Sequence, residues 1–335
     1  MTTFVILLLG FLFGAIIAYA NLNKYNVISG MAMLRDFTVA KAILTAIGLG
    51  SVLLALEMHF GLTIYHIKPF IATGIMLGGF IFGVGMAILG YCPGTMVISL
   101  GQGSLDALAG LVGGLLGGWI FTQLYPSLQG VLGPNWGALS ISGLIESPVL
   151  FTVVVILFAA TLLFIAFKLN TKSENPKDKK WLYAGIALAV LNGIVFLKAG
   201  QNRPIGASTS FPYMADSLTC STANEYFAKI KTPGNWEMIF LLGALLAGFV
   251  IAKLRGEFKF TVVHSNWQQY RSSSKASRTI WAFFAGLILI FGARMAGGCT
   301  SGHVISGGMQ LAVSSLVFGA FVFAGLLLTG KYFYR

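Results

Sequence analysis

Four stretches of the chain, Pro69 to Leu105, Ala107 to Ile145, Ser147 to Phe167 and Met295 to Gly330, contain no Asp, Glu, Lys or Arg. Each can hold at least one helix of the roughly 20 apolar residues that crosses a bilayer. In water such runs would need an unusually charged remainder to cover them, and the remainder does not supply it. Charged residues make up 10% of the chain and the mean hydropathy is +0.83, whereas an ordinary soluble domain is about 25% charged. A soluble enzyme is excluded. The expected fold class is an all-α integral membrane protein, and a non-enzymatic one.

Nine segments have adequate length and apolarity, at about 2–20, 38–57, 68–90, 104–124, 148–168, 181–198, 236–253, 278–296 and 309–330. The first lacks a basic leader region, and although the AYANLNKY after it imitates a cleavage site, it reads as a retained span. The chain carries a formal charge of +12, which in a soluble protein would suggest nucleic acid. Here position decides its meaning. Five basic residues lie between Lys168 and Lys180 and six between Lys253 and Arg278, whereas the linker from Gln123 to Ser147 has none. That is the positive-inside pattern. It places both basic linkers in the cytoplasm, the N-terminus outside and the C-terminus inside, with no nucleic-acid partner implied.

Two polar stretches, Asn21 to Asp36 (NLNKYNVISGMAMLRD) and Gln201 to Asp216 (QNRPIGASTSFPYMAD), interrupt this pattern. They are either ordinary interfacial loops or re-entrant segments, and irregular backbone survives at membrane depth only when protein buries it or a wet cavity lines it. A repeat favours the second reading. The strings GYCPGTMVISLG (90–101) and GGCTSGHVISGG (297–308) align with Cys92 on Cys299 and share 6 of 12 positions. Each is preceded by one of the polar stretches, so the chain divides into a first repeat at 1–170, a cytoplasmic linker at 171–180 and a second repeat at 181–335. The span count sets the two copies in opposite orientations. Inverted repeats are a recurrent plan of secondary transporters, whose sites form where discontinuous helices of the two halves meet.

The second string, read with its flank as GARMAGGCTSGHVISGG, gathers Arg294, Cys299, Thr300, Ser301 and His303, and Gly94 stands in the first string beside Cys92. A glycine-rich break followed by a restarted helix exposes backbone N–H groups and a positive dipole end, both suited to an anion. An arginine at membrane depth costs at least about 2.5–3.5 kcal/mol, so Arg294 either faces a cavity or partner or snorkels to the surface. His303 is either a hydrogen-bonded structural side chain or a ligand. Cys92 and Cys299 are either small packing hydrophobes or, given their matched placement, polarizable thiols suited to a soft sulfur-bearing solute. Asn26, Ser29, Asn202, Arg203, Ser208 and Thr209 add polar groups from the two odd stretches, while Cys220 has no partner in the repeat. No metal or cofactor motif is present in the sequence, and an inorganic anion and membrane lipid are the partners expected.

The strings GYCPGT, NRPIGASTSFPYMAD and GARMAGGCTSGH resemble the YeeE/YedE family of bacterial inner-membrane transporters. The resemblance covers nearly the whole chain, and it implies inverted halves and uptake of thiosulfate handed along a central path by cysteine thiols. Some members are linked to selenium metabolism, and a cytoplasmic sulfur-carrier or sulfurtransferase partner is implied by the resemblance alone. Cys92 and Cys299 match two of the family cysteines. A third normally stands shortly before the Arg-Asp pair that matches Arg35-Asp36, and here that region reads Asn26, Val27, Ile28, Ser29. Three alternatives remain open on the residues themselves: a soft-metal or other soft-solute transporter (sulfite, a selenium compound), a membrane thiol oxidoreductase, and a passive channel for a small neutral solute.

Overall fold

The computed structural model describes residues 3–173 and 175–335. Residue 2, where the first span was expected to begin, and Glu174 in the 171–180 linker lie outside them. Among the described residues the chain forms helices only: α1 (Thr3–Tyr19), α2 (Tyr25–Ala32), α3 (Thr38–His59), α4 (Ala72–Leu89), α5 (Pro93–Gly101), α6 (Leu105–Leu132), α7 (Ile141–Leu144) and α8 (Pro148–Thr171). There follow α9 (Lys180–Phe196), α10 (Ser210–Leu218), α11 (Glu225–Leu254), α12 (Ser265–Tyr270), α13 (Lys275–Met295), a π-helical turn (Thr300–Ile305), α14 (Ser306–Met309) and α15 (Val313–Phe333). Seven helical segments are long and apolar enough to cross a membrane, and α1 and α9, of 17 residues each, are shorter apolar helices. These nine correspond one to one with the nine expected segments, and the protein is a multi-pass membrane protein.

Two boundaries differ from the hydropathy reading for local reasons that bear on the site. Helix α11 starts at Glu225 instead of near 236, because the Asn224 side chain caps it by accepting from the Phe227 N–H at 2.6 Å, and Glu225 pairs with Lys229 one turn on. Polar first turns such as these are invisible to an apolarity window. Helix α4 starts at Ala72, which leaves Lys68 in the loop before it.

The packing is set by small residues. Helix α6 lies against α13, α15 against α4, α4 against α13, α1 against α11 and α3 against α9. Where α6 meets α13, a side chain at Gly113 would collide with the Phe283 carbonyl and one at Gly286 with that of Gly110, so these backbones touch only because both positions lack a Cβ. Helix α8 packs on α3 and turns Val149, Leu157 and Phe164 outward, as a helix facing lipid does.

Contacts between loops define two faces. On one, Asn26, Lys41, Ser173, Lys180 and Asn266 line a common cavity of about 470 Å³, so both basic linkers lie together. On the other, Lys198 donates to the Gly61 carbonyl, the Phe70 N–H to the Gly137 carbonyl and the Ser314 hydroxyl to the Lys68 carbonyl. The two polar stretches are tucked into the protein: Asn23, Ser29, Ser208 and Ser210 are all buried.

Candidate functional site

The two cysteine strings fold as two interrupted helices with the same backbone device. Helix α4 ends at Gly90 with φ 74°, and the segment after α13 turns at Gly297 with φ 73°, a left-handed conformation that favours glycine. Two residues further on, Cys92 and Cys299 each occupy the position that starts the next helical segment, in extended backbone. Each thiol has a hydroxyl beside it: Thr95 Oγ1 lies 3.3 Å from the Cys92 sulfur and Ser301 Oγ 3.3 Å from the Cys299 sulfur. Cys299 is buried and Cys92 half-buried; the two lie within electrostatic range of each other, and Cys299 also lies within range of Lys68 and Arg294. A Cβ on Gly94 would stand 3.3 Å from Phe13 and 3.8 Å from Ala207, so the start of α5 lies against the second polar stretch.

Arg294 is buried and does not snorkel. Its Nε donates to the Tyr226 hydroxyl at 2.8 Å, and its Nη1 to the Ser208 hydroxyl at 3.0 Å and the Thr209 hydroxyl at 3.2 Å. Three residues expected at the site are thereby brought together, and their partners are neutral. Arg203 stacks over the Trp236 ring at 4.1 Å and lies 3.6 Å from the Glu237 carboxylate, while burial draws its guanidinium below the usual range. Glu237 accepts from the Thr209 N–H at 2.7 Å and so pins the polar stretch to α11. His303 Nε2 donates to the Ala296 carbonyl at 2.8 Å and its Nδ1 faces the Ser315 hydroxyl at 3.0 Å, which occupies both nitrogens within the protein. Thr300 is buried, and its hydroxyl has no hydrogen-bond partner among the described residues.

Asn26 and Ser29 lie apart from this group, on the basic face. Asn26 donates to the Ser265 hydroxyl at 2.8 Å, and Asn266 donates to the Ser29 hydroxyl at 2.9 Å and the Asn26 carbonyl at 3.0 Å. Asn202 faces His66, with its Oδ1 3.4 Å from the ring Nε2. Cys220 is exposed.

Several residues at the two breaks carry no signal of their own in the sequence. At the Cys92 break, Arg278 donates to the Ile88 carbonyl at 2.9 Å and the Leu89 carbonyl at 2.6 Å, and to Asp106 through two nitrogens at 2.6 and 3.0 Å. His264 and Tyr91 reach the same carboxylate. At the Cys299 break, Lys68 donates to the Gly297 carbonyl at 2.7 Å, and burial draws its ammonium down to about 8. These groups are legible only once helices far apart in the chain have been brought together.

An all-helical membrane protein with paired broken helices, their thiols and buried cations turned inward, belongs to the class of membrane transporters for small solutes. Residues 20–328 match the family described as sulphur transport, and the chain belongs to that family. It is 25% identical over 340 residues to a protein of Spirochaeta thermophila named thiosulfate transporter TsuA, covering 95% of each chain. A protein of Escherichia coli with the same name is 24% identical over 336 residues, covering 90% of this chain and 87% of that one.

Proposed function

We propose that the protein takes up thiosulfate across the bacterial inner membrane and passes it along a path on which Cys299 and Cys92 are successive stations. The observation that carries this reading is the matched pair of breaks, each with a left-handed glycine two residues before a cysteine that has a hydroxyl at its sulfur. Thiosulfate offers a polarizable terminal sulfur and three oxygens. Thiols suit the first, and the hydroxyl-lined Arg294 with Thr300, Ser301, Ser208 and Thr209 suits the second. The names of the two relatives support the choice of anion. Nothing in the reading calls for a catalytic step.

The two halves, 1–170 and 181–335, act as inverted repeats joined by 171–180. Matched element order supports this, as does matched packing: α1 on α11 corresponds to α9 on α3, α6 on α13 to α15 on α4, and α5 on α11 to α14 on α3. The basic face is cytoplasmic, with the N-terminus outside, in keeping with the positive-inside pattern. A sulfur-carrier or sulfurtransferase at that face would receive the anion. A thiol reagent applied from outside should therefore fail to label position 177 in a Lys177→Cys protein whose exposed Cys220 has been replaced by Ala.

Growth rescue tests the proposal. A strain unable to acquire sulfur oxyanions and expressing this protein should grow on thiosulfate as sole sulfur source. Sulfate, sulfite and selenite are tested beside it, and rescue by sulfate with none by thiosulfate would overturn the assignment.

A further inference from the structure

The loop 60–71 carries Lys68 into the break that follows α13. Its ammonium donates to the Gly297 carbonyl at 2.7 Å. A Cβ on Gly298 would collide with that nitrogen, and one on Gly302 would stand 3.2 Å from it, so the absence of side chains at both positions leaves the ammonium its place. The groups facing it come from several elements: Cys299 in the break, His303 from the π-helical turn, Arg294 from α13, Glu237 from α11 and Arg203 from the second polar stretch lie within electrostatic range, and His303 has both ring nitrogens engaged within the protein. Among the described residues, Lys68 and Arg294 form no ion pair with a carboxylate, and Glu237 is engaged by Arg203 and the Thr209 N–H. Two further observations point to a ligand here. Among the described residues the buried Thr300 hydroxyl is unpartnered, and apart from Gly297 and its two chain neighbours no atom stands within 4 Å of where a Cβ at Gly297 would lie.

We propose that Lys68 is the anion-capturing residue of the Cys299 end: its ammonium exchanges the Gly297 carbonyl for the oxygens of an entering divalent sulfur oxyanion and leaves the terminal sulfur to Cys299. This rests on the reading of the protein as a thiosulfate conduit and adds a residue to it. A carbonyl is a neutral acceptor, so exchanging it for an anionic oxygen strengthens the bond without opening a buried ion pair. Arg294, held by three hydroxyls, supplies a fixed second positive charge deeper in the protein. Lys68 is a mobile point charge on a flexible stem, which suits capture and release.

The test is the initial rate of thiosulfate uptake in proteoliposomes against concentration and pH, for wild type, Lys68→Met and Lys68→Arg. Lys68→Met keeps the length of the stem and should raise KM roughly ten- to a hundredfold at pH 7, as expected for losing a hydrogen bond to a charged group. Wild-type KM should rise as pH passes through 8, where burial places the loss of the ammonium proton. Lys68→Arg keeps its charge and should hold KM near the pH 7 wild-type value up to pH 9.5. A wild-type KM in Lys68→Met, or a KM rise above pH 8 that persists in Lys68→Arg, would overturn the proposal. Unchanged KM with lowered maximal rate in both variants would mark a structural role and also overturn it. Thermal melts in detergent confirm that the variants fold. Failure of the conduit reading is separable, since there the wild type itself would show no saturable thiosulfate uptake.

Discussion

At Gly90 the Tyr25 ring fills the space a side chain would take, whereas at Gly297, with the same left-handed backbone, that space is open. The cations at the two breaks differ in the same sense. Arg278 caps the last carbonyls of α4 while fully buried, bound to Asp106 through two nitrogens and sandwiched near the rings of Tyr25 and Trp267. Lys68 caps a carbonyl at the end of α13 and is half-buried, with no carboxylate on it. Both cations answer the negative end of a helix from a position at or just before the start of the neighbouring helix. One is neutralised and plugged, and the other is charged and reachable. The difference teaches that a repeated backbone fixes where the two breaks lie, while the side chains laid over it decide which break keeps a cation free of a carboxylate and which is filled.

The largest expected effect comes from breaking the closed end. Asp106→Asn would leave Arg278 buried without its counter-charge, a loss of about 3–5 kcal/mol. The thermal midpoint in detergent should fall steeply, with little folded protein recovered. Lys68→Met should leave that midpoint within a few degrees of wild type, since no buried pair is opened. Equal destabilisation by both changes would erase the distinction between a locked and an available cation.

The next effect reads the two cysteines at the breaks. Cys299→Ala and Cys92→Ala should each cut thiosulfate uptake about tenfold or more, equivalent to about 1.4 kcal/mol in the limiting step. Both proteins should remain inserted. Cys220→Ala, at an exposed position in no shared string, should be near neutral. Wild-type rates in both repeat variants would reduce the thiols to packing.

How far these residues could be read from the sequence follows from what they interact with. The nine apolar segments and the two cysteine strings are local patterns, and the structure has all of them. Arg294, Ser208 and Thr209 were legible as candidates because each is unusual in its own surroundings, though their mutual hydrogen bonds were not. Lys68 stands at the first position of one apolar window and Glu237 near the first of another, so neither carries a signal of its own. Asp106 and Arg278 lie 172 positions apart and meet only through the packing of α6 on α13. A cross-helix ion pair leaves no periodicity in the chain. Asn26 and Ser29 are polar in the sequence, but α12 supplies their side-chain partners from the far end of the chain, and nothing near them in sequence announces it.

A smaller effect separates the two acidic residues that end the polar stretches. Asp36 is half-buried and accepts from the Thr38 N–H at 2.8 Å, whereas Asp216 is fully buried with its Oδ1 unpartnered among the described residues. Burial pushes the Asp216 carboxyl up to about 6, outside the spanning segments, against the lowering influence of Asn224 and Thr122. A carboxyl raised in the folded state binds its proton more tightly there than in the unfolded chain, so stability should rise as pH falls from 7.5 toward 5 and level off near pH 4. Thermal midpoints across that range should show the slope in wild type and in Asp36→Asn, and a flat profile in Asp216→Asn. A slope surviving in Asp216→Asn would assign it to another group.

The smallest effect concerns the region before Arg35-Asp36, where the chain has Asn26 and Ser29 and no cysteine. Asn26 is exposed, lines the cavity on the basic face and spends its side chain on Ser265 and the Asn266 N–H, so replacing it forfeits only accessible hydrogen bonds of about 0.5–1.5 kcal/mol each. Ser29 is fully buried, and its hydroxyl donates to the Tyr25 carbonyl at 2.8 Å while accepting from Asn266. A sulfur there would be larger and a weaker partner, out of reach of the cavity and pressing on the residue whose ring fills the space at Gly90. The two substitutions should therefore part company. Asn26→Cys should preserve thiosulfate uptake or raise it up to about twofold without improving sulfate uptake, because a thiol favours the terminal sulfur and adds nothing for oxygen. Ser29→Cys should lower uptake of both anions. Initial rates for thiosulfate and sulfate in the two variants and wild type make the comparison. Equal gains for both anions in Asn26→Cys, or a loss of thiosulfate uptake there, would show that a thiol at position 26 does not favour the terminal sulfur.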